Sequence, residues 1–145
     1  MLVSIHILAG STIGSFLDNE FLAFILGFLS HYFLDALPHW DYLEFFDIKN
    51  KSHWIKSAID LLLGVVIVFL FIFFSFGPLI IISAALGAAL PDILEIFYNN
   101  FHLKFLKPFS KFHNFVHFKK KISFFQGLPV LLILLMLTFL SIVLK

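Results

Sequence analysis

Long apolar runs separated by short polar breaks dominate the chain. Five runs stand out, at about residues 2–17, 21–37, 58–76, 79–98 and 122–144. Their lengths fall at or near the roughly 17–25 residues that a helix needs to cross a bilayer, with the first two at the short end. The breaks read as helix ends. Asp18-Asn19-Glu20 is a tight acidic turn rich in capping residues. Gly77-Pro78 is a bare turn, and Pro91 interrupts the fourth run. Two links are longer. Residues 39–57 are polar and carry Trp40, Tyr42 and Trp54, while residues 99–121 are basic and aromatic, with a short helix expected after Pro108. The pattern predicts an all-α, polytopic membrane bundle of about five transmembrane helices plus a short interfacial helix. Residues 1–145 then form a single membrane domain.

Composition supports this reading. Hydrophobic residues make up 61% of the 145 and charged residues 13%. A soluble domain has nearer half and a quarter, so lipid is the expected solvent. The first run has no Lys or Arg before it and no Cys after Leu8-Ala9-Gly10, so it reads as a retained helix rather than a signal peptide. Cysteine is absent, which leaves His and carboxylates as the metal ligands available. The net charge of +1 gives no basic face for nucleic acid.

Lysine placement orients the chain. With five crossings, the N-terminus and both long links share one side. That side holds Lys49, Lys51, Lys56, Lys104, Lys107, Lys111, Lys119, Lys120 and Lys121, against Lys145 alone on the other. By the positive-inside rule the N-terminus is cytoplasmic and the C-terminus outside, in the inner or plasma membrane.

Ionisable groups inside a bilayer are costly and turn toward the protein interior. Here His6, His31, Asp35, Asp60, Asp92 and Glu95 lie within apolar runs, and the alternating direction of the helices brings all six to the cytoplasmic end. His31 and Asp35, at i and i+4, share a helix face. Pro38 stops that helix, so His39 and Asp41 can fold back over its end. Pro91 frees a carbonyl beside Asp92 and Glu95, which stand at i and i+3. His113 and His117 repeat the i, i+4 spacing. Small residues (Gly10, Gly14, Gly27, Gly64 and Gly87) mark faces suited to close helix packing.

Four of these pieces resemble a family of prokaryotic inner-membrane metal-dependent hydrolases. They are His6; Gly27-Phe28-Leu29-Ser30-His31-Tyr32-Phe33-Leu34-Asp35, which matches a G-x-x-S-H-x-x-x-D segment; Leu90-Pro91-Asp92; and the pair His113 and His117. In that family the L-P-D and paired-His segments come before the S-H-x-x-x-D segment. Here the order is reversed and Asn114 stands where the family carries Arg, so the chain is similar to a distant or rearranged relative.

The resemblance implies a metal-dependent hydrolase, with His6, His31, Asp35, Asp92, His113 and His117 as the residues that match the family's segments. Together with the burial and clustering of the ionisable groups, it leads to His6, His31, Asp35, Asp41, Asp92 and Glu95 as expected metal ligands and Asp60, His39, His113 and His117 as expected catalytic groups. One or two divalent ions are expected, with N and O donors favouring Zn²⁺ over Mn²⁺ or Fe²⁺. A site at headgroup depth beside a basic, Phe-rich segment suits a lipid phosphoester or another amphipathic substrate. The same buried groups are also compatible with a small proton or cation transporter, or with a membrane scaffold whose polar cluster fixes helix packing.

Overall fold

The structure is a computed structural model. It describes residues 1–41, 43, 46–74, 77–120 and 122–144. Tyr42, the end of the third apolar run at Ser75 and Phe76, and Lys121 and Lys145 of the charge count lie outside the described residues.

Among the described residues, six α-helices form one bundle: α1 (Val3–Gly14), α2 (Glu20–Ala36), α3 (Lys51–Phe73), α4 (Pro78–Phe101), α5 (Lys107–Val116) and α6 (Phe124–Val143). Their ends follow local chemistry. The Asn19 side chain accepts from the Leu22 N–H at 2.8 Å and starts α2. Leu37, next to Pro38, is extended (φ −80°, ψ 155°) and stops it. Asn50 caps α3, Pro78 occupies the first turn of α4, and a Ser123/Gln126 capping box opens α6.

Three helices, α3, α4 and α6, are long and apolar enough to cross a membrane. Five crossings were expected. However, α1 has 12 residues and rises only about 18 Å, well short of a hydrocarbon core of about 30 Å. Helix α2 has 17 residues. Two other expectations change. Helix α3 begins at Lys51 rather than near residue 58, because a helix satisfies its own backbone and can extend past the apolar stretch into polar sequence. Helix α4 is not interrupted at Pro91 but runs through it. Lacking an N–H, Pro91 cannot bond the Gly87 carbonyl, and neighbouring helices shore up the turn.

Helix α1 is the hub, touching α2, α3, α4 and α6. It is buried on nearly every side, as expected of a helix with no polar stripe. Its contacts are close because they are made by small residues. Gly10 and Gly14 lie against Ala84 of α4, Gly64 of α3 meets Ile7, and Gly27 of α2 and Gly87 of α4 each lie against the other helix's backbone. The outward faces of α3 and α6 carry exposed Leu62, Phe69, Phe73, Met136 and Phe139. Such an exposed apolar surface is consistent with membrane association. The fold thus places its hydrophobic side chains at the periphery and several ionisable ones at one end of its interior.

Candidate metal centre

Asp35, on the last turn of α2, is the pivot. It is fully buried, and its two carboxylate oxygens face different partners. Oδ2 lies 3.0 Å from His31 Nε2 and 2.9 Å from His113 Nε2. Oδ1 lies 3.2 Å from His6 Nε2, 3.3 Å from the Met1 amine and 4.0 Å from His39 Nε2. Its backbone carbonyl, left over at the helix end, accepts from the Phe118 N–H at 2.7 Å. That bond ties the segment after α5 to the end of α2 and brings His113 and His117 over the site.

Two groupings of donor atoms result, each within 4.8 Å: His31, Asp35, Asp92 and His113, and Asp35 again with His39 and His117. Asp41 completes the second from the side, with Oδ2 at 3.3 Å from His39 Nε2 and 3.7 Å from His117 Nε2. His6, fully buried, stacks on the His31 ring with centroids 3.9 Å apart. It touches Asp35 without joining either grouping.

Three imidazoles are oriented in the same way. Nδ1 of His31 lies 2.8 Å from the Ala88 carbonyl, that of His39 2.8 Å from the Leu37 carbonyl, and that of His117 3.1 Å from the Phe118 carbonyl. A carbonyl can only accept, so each Nδ1 carries a proton and each ring turns its Nε2 inward. Those Nε2 atoms face carboxylate oxygens, which accept. His31 Nε2 and His39 Nε2 are buried without a hydrogen-bond partner, as is Asp92 Oδ2. Facing acceptors at such distances require a positive charge between them, either an added proton or a metal ion. An Nδ1–H held by a backbone carbonyl is the usual way a protein aims a metal-binding Nε2.

The groups around the rim carry shifted proton affinities. Burial raises the Asp41 carboxyl, but the His39 hydrogen bond and the Met1 ammonium outweigh it and bring it down to about 2. Burial pulls the His113 imidazole down, yet its bond to Asp35 and the charges of Asp92 and Glu95 hold it above its ordinary value. His117 lies below its ordinary value, chiefly through burial. A proton on His113 Nε2 occupies the direction a metal would take, so binding there releases that proton.

Two expected site residues stand apart. Asp60 of α3 accepts from the Val3 N–H at 2.8 Å and the Ser4 N–H at 3.1 Å, so its carboxylate caps α1. Glu95 Oε1 is held by Asn99 and Asn114 at 3.0 and 2.9 Å. Sequence reasoning noted Asn114 only as a departure from Arg. Its position one turn from Ser110, whose carbonyl it also bonds at 2.8 Å, was the available signal. The Ala88 carbonyl was equally unread, though Pro91 three residues on marks a disturbed stretch of helix.

A cavity of about 400 Å³ adjoins the cluster. Asp41, Asp92, Glu95, His113 and His117 line it together with Tyr98, Asn99 and Asn114. Comparison with protein-family models, curated proteins and solved structures yields no match. The buried His/Asp cluster, able to hold a metal ion, therefore carries the functional argument by itself.

Proposed function

We propose that the protein is a membrane-embedded, metal-dependent hydrolase, a distant or rearranged relative of the prokaryotic inner-membrane family it resembles. The observation that carries the reading is the shared orientation of His31, His39 and His117, whose inward Nε2 atoms face carboxylates. His31, Asp35, Asp92 and His113 would hold a divalent ion, Zn²⁺ before Mn²⁺ or Fe²⁺ by donor type. Such an ion lowers the pKa of bound water toward neutrality and polarises the scissile group.

The residues of the chain do the rest. His6, stacked on His31 and touching Asp35 Oδ1, positions both ligands. Asp41, ionised across the neutral range, and His117 stand at the cavity wall, where they face the polar end of a bound substrate. In the hydrolysis a water oxygen bonds to phosphorus, the ester P–O bond breaks, and the leaving alkoxide takes up a proton.

The substrate class follows from location. The cavity opens at one end of an apolar bundle, beside α5, whose Phe109, Phe112 and Phe115 are exposed among Lys107 and Lys111. Such a helix lies well at an anionic headgroup layer, so the cavity receives the polar head of a phosphoester lipid from the bilayer. In this reading α1 and α2 join α3, α4 and α6 as crossings, the N-terminus is cytoplasmic and the C-terminus outside.

Elemental analysis of the detergent-purified chain beside His31→Ala tests the proposal, with hydrolysis of a phosphodiester lipid in mixed micelles as the second readout. About one or more transition-metal ions per chain and at least a ~100-fold loss of activity in the variant are expected, since losing a ligand costs more than the roughly 10–100-fold of losing one of its outer-shell partners. Protein without metal, or metal content indifferent to His31→Ala, would sink the idea.

A further inference from the structure

We propose that the centre holds two divalent ions bridged by Asp35. The proposal rests on the metal-dependent reading above and adds a second position built from Asp35 Oδ1, His39, His117 and Asp41.

Two observations support it. First, the Asp35 carboxylate is divided between two sets of groups, with Oδ2 toward His31 and His113 and Oδ1 toward His6, the Met1 amine and, at 4.0 Å, His39. One carboxylate oxygen per ion is the arrangement of two-metal hydrolytic sites, whose ions stand roughly 3.5–4 Å apart. Second, His39 is 4% exposed, its Nδ1 is committed to the Leu37 carbonyl, and its buried Nε2 has no hydrogen-bond partner. That atom is aimed at Asp41 and Asp35. A single ion among His31, Asp35, Asp92 and His113 leaves it unsatisfied, at the cost of any buried polar atom.

The second position is the weaker of the two, because its Asp41 and His117 side chains are partly exposed whereas His31 and Asp35 are fully buried. The first ion is held among buried ligands and the second at the cavity wall, where a substrate oxygen can reach it.

Titrating the full detergent-purified chain with Mn²⁺ alone separates the outcomes. Two ions per chain, with tenfold or greater difference in affinity, and a spin-coupled paramagnetic resonance signal at full loading are expected. His39→Ala/His117→Ala should bind one ion and give the uncoupled six-line signal. Asp41→Asn, a milder change, should weaken only the second binding event. A wild-type stoichiometry of one, or two ions without spin coupling, overturns the bridge. If that single ion is still lost in His31→Ala, the metal-dependent reading survives and only the second position falls. If no ion binds at all, both fail.

Discussion

Buried charge in this protein serves two different ends, and single residues show the difference. Asp35 and Asp60 are both carboxylates within apolar runs, and both are buried. Asp35 faces imidazole nitrogens, whereas Asp60 takes up two backbone N–H groups that α1 cannot satisfy itself. Asp60→Ala should therefore destabilise the fold by about 0.5–2 kcal/mol, the usual worth of a helix cap. Bound metal should stay unchanged. Thermal unfolding in detergent and elemental analysis of the same sample check both halves. Metal loss at full stability would instead return Asp60 to the metal site, beside the catalytic role expected from the sequence. That expectation was reasonable, since burial cost marks a residue as engaged. It does not say with what, and the cap joins positions 56 and 57 residues apart in the chain. His31 and Asp35 were easier to read because both stand on one helix face and a proline two residues past Ala36 ends it.

At the level of helices, the small-residue stripes decide how near the ligands come. A methyl group on Gly27 would run into the Ala84 carbonyl, and one on Gly87 into the Phe24 carbonyl. Neither backbone can yield without separating α2 from α4, which carry His31 and Asp92. Gly27→Ala and Gly87→Ala should each cost about 1–3 kcal/mol by overpacking and weaken metal binding together with stability. Gly77→Ala, whose new methyl would meet only the Ile80 side chain at an ordinary distance, should be near neutral. Comparing unfolding midpoints and metal affinities of the three variants tests this. The stripes were visible in the sequence as glycines four apart. Which helix each would meet was not, because periodicity gives a face and not its partner. The lengths of α1 and α3 were misjudged for a related reason: hydropathy tracks the solvent around a helix, while the helix itself ends at caps such as Asn50.

For the molecule as a whole, the exposed apolar surface of α3 and α6 and the placement of lysines make one testable topology. Because the chain has no cysteine, single cysteines report cleanly. Lys111→Cys should react with an impermeant thiol reagent only after the membrane is opened. Glu20→Cys and Lys145→Cys should react in intact cells. Labelling of Lys111→Cys from outside would reverse the orientation, and labelling of Glu20→Cys and Lys111→Cys from one side would remove α2 or its neighbours from the set of crossings. The protein should also stay with the membrane through alkaline extraction, since α3, α4 and α6 each suffice to span it.

The bond from the Phe118 N–H to the Asp35 carbonyl has a consequence for the order of biosynthesis. A ribosome delivers His6, His31, Asp35, His39 and Asp41 early, Asp92 later, and His113 and His117 only after four helices have left it. Until residues 113–118 emerge, neither the His113 bond to the Asp35 side chain nor the Phe118 bond to its carbonyl can form, and the first half of the site waits with its carboxylates open. The nascent protein is thus an incomplete chelator through most of its synthesis, and a chain stopped before α5 should enter the bilayer yet fail to retain metal. Assembly of the centre is timed by the chain's own length.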